Sequence, residues 1–135
     1  MENKELIKIA LKYREKAYSP YSNFKVGAAV LFDSGKVYGG CNIENASFGA
    51  TNCAERTAIF TGVAEGETKI NAIAIVGSLE ENTYPCGICR QVISEFGGPE
   101  VKVILAKSEE DYIETDMAEI LPGTFTKVDL DKNNK

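Results

Sequence analysis

Two cysteine groups bracket one short apolar run, and that arrangement constrains the fold of this chain more than any other feature. Cys53-Ala54-Glu55-Arg56 and Pro85-Cys86-Gly87-Ile88-Cys89-Arg90 each stand where a helical pattern begins, and 71–76 between them is an apolar run that reads as a strand. Helix, strand and helix in succession require crossover connections, which set strands parallel and lay the helices on a sheet. The rest of the chain extends this pattern. Leu6, Ile9, Tyr13 and Ala17 recur at steps of three and four, predicting a helix over 5–17 that Ser19-Pro20 ends. Segments 25–32 and 36–40 flank Asp33-Ser34-Gly35, a hairpin signal; 101–106 is strand-like, and a short C-terminal helix follows. The expected fold is a three-layer α/β/α sandwich with a mixed, mostly parallel central sheet. One domain is expected over 1–128, with a polar, flexible tail at 129–135.

With 135 residues, 44% hydrophobic and 26% charged, the chain is long enough to close one core. A formal net charge of −5 argues against nucleic acid and anionic membranes as partners, since both are bound through an excess of lysine and arginine. No stretch approaches the roughly 20 apolar residues of a membrane span, and the N-terminus mixes charges where a signal peptide needs an unbroken apolar block. The expectation is a soluble, cytoplasmic protein that takes a small ligand or a protein partner. Histidine is absent. That removes Ser-His-Asp and Cys-His mechanisms, and every zinc site that mixes cysteine with histidine. Four cysteines without an export signal read as metal-binding or catalytic before they read as disulfides.

A cysteine at a helix start lies beside unpaired backbone N–H groups and the positive end of the helix dipole, which favour the thiolate. Cys86 and Cys89 are one helical turn apart, so both sulfurs can face one point, and Cys53 can add a third ligand from a neighbouring helix. Three protein ligands leave a tetrahedral zinc one position for a water whose pKa falls to about 7. Glu55 can curl back toward that water, accept its proton and deliver it to a leaving group. Three thiolates around a dication carry a net −1, and Arg56 and Arg90 are placed to offset it by donating to the sulfurs. On the residues alone two other readings stay open: a Cys86/Cys89 redox dithiol, and a closed structural site in which Cys41 is the fourth thiolate. The redox reading has no use for Cys53 or Glu55. Cys41 fits equally well as a small buried residue.

The combination resembles the small, homotetrameric cytidine deaminases, whose zinc signature pairs a Cys-x-Glu or His-x-Glu with Pro-Cys-x-x-Cys. The likeness extends through Tyr18-Ser19-Pro20-Tyr21-Ser22-Asn23-Phe24-Lys25-Val26-Gly27-Ala28-Ala29, Gly40-Cys41-Asn42-Ile43-Glu44-Asn45-Ala46-Ser47, Asn52-Cys53-Ala54-Glu55-Arg56-Thr57-Ala58, the Pro85 to Gln91 block and Leu121-Pro122-Gly123-Thr124-Phe125. The resemblance implies one zinc ion per subunit held by Cys53, Cys86 and Cys89, with Glu55 as the catalytic acid and base. It implies ribose contacts from Asn42 and Glu44, stacking by Phe24, and a contact from the Ala54 backbone N–H to the base carbonyl. It also implies a homotetramer in which Phe125 enters a neighbouring subunit's site and the Ala46 loop lies at a subunit contact. Cytidine and deoxycytidine would become uridine and deoxyuridine with release of ammonia, a pyrimidine-salvage reaction. Phe48 departs from the pattern, since many relatives have tyrosine there. A cytosine-containing antibiotic such as blasticidin is the rival substrate, and Asn42-Ile43-Glu44-Asn45 disfavours it.

Overall fold

The order of the strands brings the two cysteine groups together. In the computed structural model, which describes residues 1–133, five strands form one sheet in the order β2-β1-β3-β4-β5. They are β1 Gly27–Phe32, β2 Val37–Cys41, β3 Ile70–Val76, β4 Lys102–Ala106 and β5 Tyr112–Asp116. The helices are α1 Asn3–Arg14, α2 Ala54–Ala64, α3 Gly87–Gly97, α4 Met117–Ile120 and α5 Lys127–Asn133.

Strand residues alternate between two buried faces, as the period of two requires. Ala29, Ala74 and Ile104 meet Leu6, Ile7 and Ala10 of α1, while Val30, Ile73 and Val103 meet Ala58 and Ile59 of α2 and Ile93 of α3. The three layers expected from the sequence are therefore present. The crossover β2-α2-β3 passes over β1, and β3-α3-β4 joins neighbours. Both advance in the same direction across the sheet, so a common hand puts α2 and α3 on one face, with their N-termini past the ends of β2 and β3. α2 lies very close to β2. A Cβ on Gly40 would stand 2.4 Å from the Ala58 nitrogen and 2.7 Å from the Ala54 carbonyl oxygen, so only glycine allows this approach.

The sheet is mixed, but the expected mostly parallel pairing is wrong. Only β3 and β4 pair in parallel; β1 runs antiparallel to both β2 and β3, and β5 antiparallel to β4. The cause is the β1–β2 hairpin, whose turn uses Gly35 at φ 91°: it inserts β1, running the opposite way, under the first crossover. The tail also differs from expectation. Residues 129–133 belong to α5, where the Asp129 carboxylate accepts the Thr126 backbone N–H at 2.8 Å and the Asp129 N–H donates to the Thr126 carbonyl at 3.0 Å. The remaining tail residues, 134 and 135, lie outside the described residues. Among the described residues no helix is long and apolar enough to cross a membrane.

Candidate metal centre

Cysteine is the N-cap residue of both α2 and α3, Cys53 in the one and Cys86 in the other, and neither makes a side-chain capping bond. Cys89 follows one turn into α3. The three Sγ atoms lie within 4.8 Å of one another, with Cys53 and Cys86 at 3.7 Å. Tetrahedral zinc with Zn–S bonds of about 2.3 Å separates its sulfurs by about 3.8 Å, so this cluster has the size the ion requires. Cys41, at the end of β2, is not part of the group, which removes the four-thiolate reading. Three sulfurs so close cannot all carry charge unaided. Hydrogen bonding from Cys89, then from Arg56 and Cys86, lowers the Cys53 pKa to about 5, while donation to Cys53 and burial push the Cys89 thiol up.

Arg56 Nη2 donates to the Cys53 sulfur at 3.2 Å, as the sequence suggested. Arg90 does not reach a sulfur. Its Nε donates to the Pro85 carbonyl at 2.8 Å and its Nη1 to the Ile120 carbonyl at 2.7 Å. One residue past Cys89 on the helix, it turns to the chain on either side of α3, and Arg56 alone supplies positive charge to the thiolates.

Glu55, in the first turn of α2, is 4% exposed. Burial raises its pKa to about 7, its own backbone N–H pulls the other way, and the Cys53 charge raises it further. The group is thus balanced between its two protonation states near neutral pH, as a proton carrier must be.

These residues share a cavity of about 260 Å³ whose walls include Phe24, Asn42, Glu44, Cys53, Ala54, Glu55 and Cys86. Among the described residues no lysine or arginine lines it. The Ala54 N–H belongs to the first turn of α2, where the helix offers no carbonyl partner. Phe24 follows Asn23, a residue at φ 57°, a conformation asparagine tolerates better than most. Asn42 ties the segment in place: its Oδ1 accepts the Val26 N–H at 2.9 Å and its Nδ2 donates to the Phe24 carbonyl at 2.8 Å. Each amide atom keeps one further bonding site for a ligand. The Glu44 carboxylate accepts the backbone N–H groups of Tyr21 at 2.9 Å and Ser22 at 3.1 Å, and the Ser22 hydroxyl. The hydroxyl bond first, and then these amides, lower its pKa.

Phe125 is not in this wall. It is 55% exposed and lines a separate cavity beside the C-terminal end of α3. Phe48, 77% exposed, packs edge-on against Tyr21 at 6.3 Å, beside the outer end of Glu44. Thr83 and Tyr84 complete the wall on the side of Cys86, and nothing in the sequence marked them, because loop residues next to a motif carry no periodic signal.

Residues 1–105 match the family described as the cytidine and deoxycytidylate deaminase zinc-binding region. A cytidine deaminase of Sporosarcina psychrophila is 48% identical over 96% of each chain. One of Halalkalibacterium halodurans is 48% identical over 96% of this chain and 98% of its own. The crystal structure of cytidine deaminase from Burkholderia pseudomallei matches with a TM-score of 0.88 at 49% identity, covering 93% of this chain and all of that one.

Proposed function

This chain belongs to the cytidine and deoxycytidylate deaminase family, and from that premise we infer that it hydrolyses cytidine, and deoxycytidine alike, to the uracil nucleoside and ammonia. The observation that carries the reading is a carboxylate, Glu55, buried beside three converging sulfurs in the wall of a cavity large enough for a pyrimidine. The thiolate set of Cys53, Cys86 and Cys89 suits zinc over harder ions, and the bound metal supplies Lewis-acid activation of water at neutral pH.

Glu55 accepts a proton from the attacking water and places it on N3 as the water oxygen bonds to C4. It then takes the second proton from the new hydroxyl and gives it to the exocyclic nitrogen as the C4–N bond breaks. Water and cytidine are consumed, uridine and ammonia leave, and Glu55 ends as it began. The Ala54 N–H holds the base carbonyl and Phe24 covers the ring face. The free sites on Asn42 and Glu44 take the ribose hydroxyls. A cavity with no cationic wall and an ionised Glu44 suits a nucleoside and disfavours its phosphate ester. Phe125 and the exposed Phe48 and Ile88 support a homotetramer in which neighbouring subunits complete each site. Free cysteines in a thiolate site fit the reducing cytoplasm.

Ultraviolet absorbance of cytidine incubated with the holoenzyme tests this. The cytidine band is expected to decay, to persist after exhaustive chelation, and to decay about 10²- to 10⁴-fold more slowly with Glu55→Gln at unchanged zinc content. A zinc-loaded enzyme that leaves cytidine intact, or a Glu55→Gln variant of full activity, would overturn the reading.

A further inference from the structure

The helix that presents Cys89 also grips the C-terminal segment. Arg90 bonds at once to the carbonyl of Pro85, the residue before Cys86, and to that of Ile120; Gln91 Nε2 donates to the Phe125 carbonyl at 2.8 Å. Ile120 and Leu121 pack on the core and the Thr124 hydroxyl donates to the Leu121 carbonyl, but from Pro122 onward packing does little to fix the segment. It runs between a cavity of about 420 Å³ lined by Leu121, Pro122 and Thr124 and another of about 410 Å³ lined by Phe125, and it contains Gly123 at φ 63°. A chain with empty space on both sides takes its position from its tethers. Arg90 registers the near end on the metal-binding loop. Among the described residues the far end, which carries the aromatic ring, has one side-chain hydrogen bond to its backbone, from Gln91.

We propose that Gln91, with Arg90 as the fixed end of the same clamp, is a positioning residue that sets where the Phe125 ring stands relative to α3. The inference rests on the reading above that Phe125 completes a neighbouring subunit's site, and adds how the ring is held there. Gln91 touches neither the sulfurs nor Glu55. Loss of its N–H therefore weakens nucleoside binding and leaves the chemical step alone.

The test is a double-mutant cycle on the zinc-loaded enzyme with Gln91→Leu, Gln91→Glu, Phe125→Ala and the Gln91→Leu/Phe125→Ala pair. Glutamate keeps the size of glutamine and loses the donor. The KM for cytidine and the calorimetric Kd for uridine are expected to rise together by about three- to tenfold in both Gln91 variants, the worth of one hydrogen bond. Turnover number, zinc content and native mass stay unchanged, and Gln91→Leu adds nothing in the Phe125→Ala background. If Phe125→Ala itself leaves KM unchanged, the reading of Phe125 fails and the clamp with it. If Phe125→Ala raises KM while the Gln91 variants do not, or if the two effects simply add, the clamp is wrong and the reading of Phe125 stands.

Discussion

Glu44 and Asn42 each serve two masters. Their side chains hold the backbone of residues 21–26 in place, and the bonding sites left over face the cavity. A substitution at either one disturbs the Phe24 segment as well as the proposed ribose contact, so neither isolates ligand binding. Ser22 acts on the Glu44 charge most directly: its hydroxyl is the first cause of the low Glu44 pKa, while its oxygen also accepts the Phe24 N–H at 3.0 Å. A carboxylate whose pKa is depressed in the folded protein adds stability that is present above its ordinary value of 4.5 and is lost as pH falls through the folded value. Ser22→Ala is expected to move the Glu44 pKa up toward 4.5, as followed by carbon NMR of the carboxyl group, and the loop then releases at a higher pH. An unmoved titration would show that the backbone amides alone hold the charge. At this scale the sulfurs and Glu55 were legible because few side chains share their chemistry. The target of Arg90 was not, since it bonds to carbonyls that every residue carries.

Among the elements, the contact between α2 and β2 positions Cys53 and Glu55. Gly40→Ala puts a methyl group into the α2 backbone, which cannot yield as a flexible side chain can. A loss of about 1–3 kcal/mol in chemical denaturation is expected, with weaker zinc retention as α2 lifts; a wild-type midpoint would mean the helix is not held where it lies here. Elements with a buried face were readable from the sequence, as 71–76 shows. Tyr112–Asp116 was missed because β5 is an edge strand, with Glu114 and Asp116 facing outward and no apolar alternation to reveal it. For α5 a signal did exist: Thr126-Lys127-Val128-Asp129 has the spacing of a capping box, of which the Asp129 carboxylate to Thr126 N–H half forms, and a polar composition concealed it.

For the whole molecule, the sequence carried the layers but not the pairing. Nothing local in 27–32 tells it to enter between β2 and β3, so the direction of its neighbours could not be read. The proposed tetramer with shared sites would make activity a property of the assembly. Specific activity is expected to fall on dilution in step with native mass by sedimentation, and constant activity in dissociated chains would remove Phe125 from the site. The lack of histidine has a consequence at this scale too. No side chain here ordinarily titrates between pH 5 and 8, and of the groups the fold displaces, Cys53 falls to about 5 while Glu55 is brought to about 7. Most enzymes bury the signal of their proton carrier under a crowd of bystanders. Here no imidazole overlaps Glu55, so the titration of this one carboxyl group, raised by burial, can be followed across the neutral range without a bystander histidine.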